Sequence, residues 1–374
     1  MDFSCVSCHA VFSASPQVWR CPTCGGAFEF ATRKPFAAEC VEVRDRSLWR
    51  YRAMIGLPEG AVPVSMGEGL TPLVPATFRG QRIHFKLEYL APSGSFKDRG
   101  TSVLVSALKH WGVDRAADDS SGNAGASFAA YAARAGIAAE VFTPAHASPA
   151  KLAQIEVFGA KLNRIEGARE KATEALEAAT REGLAYASHA WSPLTLEGTK
   201  TVAYEIWEQV SGRVAGPGDT TMKSGAPDHF VCPIGQGSLF LGAYRGFKDL
   251  QTAGLIDRLP RMIGVQSIGC APIVEASRLG LHRAAPIEKR PSVAEGIMLV
   301  QPIRDREILQ ALRETDGLAI AVTDEEILHA RKELARIGLY VEPTSAVVGA
   351  ALLRLPLGGV TVAALTGSGL KGPA

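Results

Sequence analysis

Four cysteines stand within the first 24 residues as two C-x-x-C pairs, Cys5-Val6-Ser7-Cys8 and Cys21-Pro22-Thr23-Cys24. One such turn lets two thiolates converge on a single ion, and a second turn completes a tetrahedral set of four sulfurs. Soft thiolates favour zinc, and four protein ligands leave no open coordination position. The expected role is therefore structural: a zinc ribbon in which the metal folds a segment too small to hold a core of its own. Cys40, Cys232 and Cys270 are isolated and read as small packing residues.

Four further stretches have the character of loops that enter helices, where ligands sit in doubly wound sheets. Pro92-Ser93-Gly94-Ser95-Phe96-Lys97-Asp98-Arg99-Gly100 delivers a lysine at a helix start. The positive end of a helix lowers a lysine's pKa and makes its amine a better Schiff-base former. Taken alone, the stretch reads better as a solvated helix start than as a reactive site. Ser120-Ser121-Gly122-Asn123-Ala124-Gly125-Ala126-Ser127 offers backbone N–H groups to an anion and an amide to a phenolate-like oxygen. Gly235-Gln236-Gly237-Ser238-Leu239 is a candidate phosphate cradle, but Phe240 denies it the G-x-G-x-x-G dinucleotide fingerprint. Thr366-Gly367-Ser368-Gly369-Leu370-Lys371 follows a strand-like run.

The elements that must position these loops alternate along the chain. Residues 83–87, 139–142, 230–234, 262–265 and 359–363 read as strands; 97–109, 127–135, 150–158, 168–181 and 199–210 read as helices, with Gly159 a C-cap. Residues 211–227, rich in Gly and Pro, read as a loop. Alternation of this kind implies parallel sheets covered on both faces. At 374 residues the chain is too long for one ordinary core. A net charge of +2, without Lys/Arg runs, speaks against nucleic acid and membrane surfaces. No stretch is long and apolar enough to span a bilayer, and the first residues lack a secretion signal, so a cytoplasmic protein is expected.

In their order along the chain, five motifs carry a resemblance. They are Gly67-Glu68-Gly69-Leu70-Thr71-Pro72-Leu73, the lysine loop, the Ser120-to-Ser127 turn, Glu342-Pro343-Thr344-Ser345-Ala346, and Thr366 to Lys371. With them the chain resembles the fold-type-II enzymes that depend on pyridoxal 5′-phosphate (PLP), and within these the threonine synthase branch, many of whose members carry a zinc ribbon. The resemblance implies two α/β domains with PLP in the cleft between them. The expected division is a ribbon over 1–34, a large domain over 35–95 and 206–374, and a small, mobile domain over 96–205. Lys97 would carry PLP covalently and shuttle protons. Asn123 would bond the 3′-oxygen of the ring, residues 235–239 would donate N–H groups to the cofactor phosphate, and Thr366 would face the pyridine nitrogen. Ser120, Ser121 and Gly122 would grip the carboxylate of a small amino-acid substrate. A hydroxyl at 366 leaves the ring a moderate electron sink, which favours prompt loss of a leaving group over transamination. For this branch the implied reaction turns O-phosphohomoserine and water into threonine and phosphate: Lys97 takes the α-proton, phosphate leaves the γ-carbon, and water adds at the β-carbon. A homodimer is implied as well.

The match departs from the branch at Ala91 and Ser93 in the lysine loop, at Gln236 in the glycine loop, and at Ser368 and Gly372 in the last motif. Asp118-Asp119 stand where small apolar residues are usual, and Ala294-Glu295-Gly296 is similar to a segment of serine and threonine dehydratases. These changes surround the substrate and spare the cofactor's anchor. They leave open a deaminating lyase, or a β-replacement synthase on another phosphorylated amino acid. Glu88 is expected to be structural or to serve domain closure, Glu197 either a cap or a ligand contact, and the histidines, His189 among them, to lack metal spacing and catalytic roles.

Overall fold

The structure is a computed structural model and describes residues 1–145, 149–167, 169–212 and 225–371. The chain divides into two compact units. The first combines Met1–Gly69 with Ala91–Gly198, and the second combines Leu70–Leu90 with the described part of Thr199–Gly372.

The first unit begins with three short antiparallel strands, Asp2–Cys5, Val11–Ser13 and Phe28–Phe30, with Asp2–Cys5 in the middle. Phe3 packs on Phe28 at 5.8 Å and edge-on to Phe30 at 5.3 Å, so three aromatic rings supply the apolar area that so small a sheet otherwise lacks. A four-stranded parallel sheet follows in the order Lys161–Ile165, Ala138–Pro144, Arg115–Asp118, Ala185–Tyr186. Parallel neighbours need crossover connections, and helix Asn123–Ala135 makes the first one. Gly136, with φ +71°, ends that helix in the left-handed conformation a β-carbon disfavours. Helix Lys97–His110 is buried along nearly its whole length, and Val103, Leu104 and Leu108 share one core with Phe3, Trp49, Leu57 and Phe128. The expected division places residues 35–69 with the larger domain; in the fold they join the first unit, because Leu48, Trp49, Ile55 and Leu57 are packed into this core.

The second unit holds a six-stranded sheet in the order Leu318–Val322, Arg261–Ser267, His229–Pro233, Thr361–Ala364, Gln81–Lys86, Leu73–Phe78. All neighbours are parallel except the last pair, a hairpin turned at Arg79 and Gly80, both with positive φ. Two such residues match the twist of a two-residue hairpin. Val231, Ile263, Val265 and Ala363 pack against Val347, Val348 and Leu352 of helix Pro343–Arg354.

Several elements differ in extent from the sequence expectation. Helix Asn123–Ala135 starts four residues before Ser127, so the small polar turn is its first turn. Strand Thr361–Ala364 starts after Gly359, whose φ of +73° belongs to a turn. The helix read over 199–210 starts at Thr201, and a separate short helix, Pro193–Thr199, precedes it. The loop read over 211–227 lies mostly outside the described residues, as do His146 and Gly372. Among the described residues, no helix is long and apolar enough to cross a membrane.

Candidate active site

The lysine loop is held by a carboxylate. Asp98 is fully buried and accepts from the Ser93 N–H at 2.6 Å, the Ser93 hydroxyl at 2.5 Å and the Ser127 hydroxyl at 2.6 Å. Gln154 adds a bond to the Ser93 carbonyl at 2.9 Å. These ties fix the loop 93–98, and Lys97 emerges half-buried in the first turn of its helix with its ammonium 4.9 Å from the centre of the Phe96 ring. At Gly100 a β-carbon would come within 2.9 Å of the Thr195 carbonyl oxygen, so only glycine lets that segment lie so close.

Ser127, which reaches Asp98, lies on the helix that begins at Asn123. The two helix starts that carry Lys97 and Asn123 are thus joined through one carboxylate. Asn123 and Ser121 are half-buried, and Gly122 is exposed. The Gly122 N–H donates to the Ser120 hydroxyl at 3.3 Å, which folds the turn on itself. Gly125 explains why the turn is made of small residues: a β-carbon there would sit 1.8 Å from the Ser120 carbonyl oxygen. An anion brought to residues 120–123 would meet the positive end of this helix.

A second buried acid supports this unit. Glu68 accepts from Trp49 Nε1 at 2.8 Å, the Ser102 hydroxyl at 2.5 Å, the Tyr131 hydroxyl at 2.7 Å and the Met66 N–H at 2.8 Å. Burial, then the charges of Asp98 and Glu68, drives the Tyr131 phenol far above its ordinary pKa, so it stays a donor. Glu197 accepts from the Gly56 N–H at 2.7 Å and is a structural tie.

The second unit carries the other expected residues. Residues 235–239 follow strand His229–Pro233 and lead into the 15-residue helix Ser238–Thr252. Gly237, with φ +80°, makes the turn, and a β-carbon on it would strike Ile308 at 2.4 Å. Gln236 fixes the loop by accepting the Ile303 N–H at 3.0 Å through its side chain. Thr366 is 3% exposed, and its N–H donates to Ser345 Oγ at 2.9 Å. Its hydroxyl, however, has no hydrogen-bond partner among the described residues. A buried hydroxyl in that condition costs about 1–3 kcal/mol unless something meets it. The adjacent Gly367 admits Glu342, whose carboxylate lies 2.1 Å from where a β-carbon would be. Glu88, as expected, is a structural acid: it accepts the Thr71 hydroxyl at 2.6 Å.

The residues present in each unit are of the kinds that the cofactor implied by the resemblance would need: the first unit offers an amine at a helix start and an amide, and the second a helix N-terminus for a phosphate and a buried hydroxyl without a partner among the described residues. Lys97, Asn123 and residues 120–122 belong to the first unit; residues 235–239 and Thr366 belong to the second. Asp98, Ser127, Glu68 and Ser345 escaped the sequence reading as supports, although each lies inside or beside a quoted motif, because burial is what makes them decisive.

The four sulfurs of Cys5, Cys8, Cys21 and Cys24 lie within 4.8 Å of one another. Burial opposes ionisation of Cys21, but N–H groups of Cys24 and Thr23 and the neighbouring thiols outweigh it and draw its pKa to about 6. Cys24 goes the other way, to about 12; the Gly26 backbone favours its thiolate, and the sulfurs of Cys5 and Cys8 prevail against it. Convergent sulfurs of which one ionises at the expense of another are suited to a cation that would stabilise all four thiolates.

Comparison with known proteins adds the following. Residues 64–367 match the family described as pyridoxal-phosphate dependent enzyme. A threonine synthase of Methanocaldococcus jannaschii is 33% identical, over 99% of this chain and 92% of that protein. One of Mycobacterium bovis is 36% identical, over 92% of this chain and 91% of that protein. Among solved structures, a threonine deaminase from T.th. superposes with a TM-score of 0.65 at 26% identity, over 80% of this chain and 92% of that one.

Proposed function

This chain belongs to the pyridoxal-phosphate dependent enzymes, and from that premise we propose that it is a threonine synthase, a lyase that converts O-phosphohomoserine and water into threonine and phosphate. The observation that carries this reading is likeness to threonine synthases over nearly the entire chain, the N-terminal cysteine segment included.

When bound, PLP supplies an electron sink for charge that develops at the α-carbon of an amino acid. The chain's own groups do the rest. The Lys97 amine, in the first turn of its helix, would hold the cofactor and would take the α-proton of the substrate. Asn123 bonds the ring's 3′-oxygen. The N–H groups of residues 235–239, at a helix N-terminus, bind the phosphate of the cofactor. The Thr366 hydroxyl would bond the ring nitrogen, a partner it lacks among the described residues. Ser120, Ser121 and Gly122 hold the substrate carboxylate. Cys5, Cys8, Cys21 and Cys24 hold one structural zinc in an N-terminal ribbon.

The test is incubation of the purified, PLP-loaded protein with O-phosphohomoserine, with phosphate and threonine both assayed. Equimolar release of the two is expected, and product no greater than that of Lys97→Ala would reject the reading. A second reading, a deaminating lyase on serine or threonine, is favoured by Ala294-Glu295-Gly296 and by the likeness to the threonine deaminase. Release of a 2-oxo acid and ammonia instead would establish it.

A further inference from the structure

Strand Arg115–Asp118 ends in two acidic residues immediately before the loop 120–122. Asp118 is fully buried and Asp119 is 6% exposed. His189, distant in sequence, brings its Nδ1 to 3.2 Å from Asp118 Oδ1. One ligand atom from each of Asp118, Asp119 and His189 can be chosen so that all lie within 4.8 Å of one another. We propose that these three residues form a binding site for a hard divalent cation, at the root of the loop that takes the substrate carboxylate.

The alternative is that His189 and Asp118 simply pair. That pairing occupies only one oxygen of Asp118. The other, Oδ2, is buried and has no hydrogen-bond partner among the described residues. Leaving that carboxylate oxygen dry and unmet is costly, and a coordinated cation removes the cost at Asp118. Asp119 is already oriented, since its Oδ2 accepts the Thr173 hydroxyl at 2.7 Å. Buried ligands of this kind normally have such an outer partner.

The spacing suits the proposal. With metal–oxygen distances of about 2.1 Å, adjacent ligands of an octahedral ion lie about 3 Å apart and opposite ones about 4 Å apart. Two carboxylates and one imidazole make a mainly oxygen donor set, which accepts Mn²⁺ and lacks the thiolates that the four cysteines offer to softer ions. The ion would brace residue 119, hence the start of the loop at Ser120. The site escaped the sequence reading because its ligands do not share one helix or turn; the parallel sheet brings them together. It does not depend on which amino acid the enzyme takes, because binding of the cation is measured without one.

The experiment titrates the PLP-loaded protein, as purified, with Mn²⁺ and follows free ion by electron paramagnetic resonance. One Mn²⁺ per chain is expected in the wild type. Affinity should weaken by at least about tenfold in Asp118→Asn and in His189→Gln, while the absorbance of the bound cofactor stays unchanged. Equal binding in wild type and folded variants, or no binding in the wild type, would overturn the site. Should Asp118→Asn fail to fold, the ring protons of His189 in the wild type decide: substoichiometric Mn²⁺ should broaden them first, and their persistence while other signals broaden would refute the proposal.

Discussion

The hydroxyl of Ser127 donates to Asp98 Oδ1 at 2.6 Å, so the helix bearing Asn123 is tied to the residue that follows Lys97. Through this one bond the two helix starts expected to meet the cofactor's ring are set against each other. Asp98→Asn retains the shape but turns an amide donor toward Ser93 donors. Because hydrogen bonds to a buried charge are the strong ones, we expect a loss of about 2–4 kcal/mol in stability. Denaturant unfolding measures it, and an unchanged midpoint would show that the carboxylate is dispensable.

Gly125→Ala would put a methyl group 1.8 Å from the Ser120 carbonyl oxygen, a backbone atom that cannot swing aside. The loop 120–122 must therefore shift. We expect about 1–3 kcal/mol of destabilisation, together with a KM increase larger than the fall in kcat, since the loop is assigned to substrate carboxylate. Steady-state kinetics on the reaction identified above separate the two parameters.

Thr366→Val removes a hydroxyl that has no partner among the described residues. Stability without cofactor should rise by up to about 1–3 kcal/mol, the cost of the unmet hydroxyl. Affinity for PLP should weaken about two- to tenfold, the value of one neutral hydrogen bond. Thermal unfolding with and without added PLP tests both halves; a large loss in the cofactor-free state would assign the hydroxyl a purely structural role.

Glu140 binds three strands of the first unit, receiving Arg115 at 2.7 Å, Asn163 at 2.8 Å and Lys161 at 3.3 Å. The Arg115 hydrogen bond, followed by those of Asn163 and Lys161 against the opposing effect of burial, holds its pKa at about 2, below the ordinary 4.5. The folded value is the depressed one, so the stabilisation is complete above pH 4.5 and disappears as pH falls toward 2. Glu314 behaves alike: Lys248, Tyr244 and Gln310 lower it to about 2. Tm should therefore drop between pH 5 and pH 2 (roughly the span between ordinary and depressed values). Glu140→Gln should show a shallower drop.

Trp19, between the two cysteine pairs, packs edge-on to Tyr186 at 4.9 Å and to Trp191 at 5.5 Å. Purified protein should carry one zinc per chain, and Cys21→Ser should lose it. Removal of the metal by a thiol reagent should release Trp19 from its aromatic neighbours and shift its emission to the red. Zinc content by elemental analysis and tryptophan fluorescence check the two steps; retained zinc in Cys21→Ser would refute the ligand set.

Local chemistry was enough to expose much of this protein. The C-x-x-C pairs declare a four-sulfur set because spacing within a turn dictates convergence, and the lysine and glycine loops declare themselves through residue types that suit helix starts and anions. Strands such as Gln81–Lys86 and Arg261–Ser267 were legible from their β-branched and aromatic content. Strand Arg115–Asp118, reading Arg-Ala-Ala-Asp, was not, for nothing in its composition favours a strand; the sheet on either side of it does. Folding alone decided that residues 35–69 join the first unit, that Glu68 and Asp98 are buried anchors, and that Asp118 meets His189. Burial and long-range proximity are properties of the packed chain: a carboxylate becomes an anchor only when water is excluded from it and donors from distant segments take the water's place.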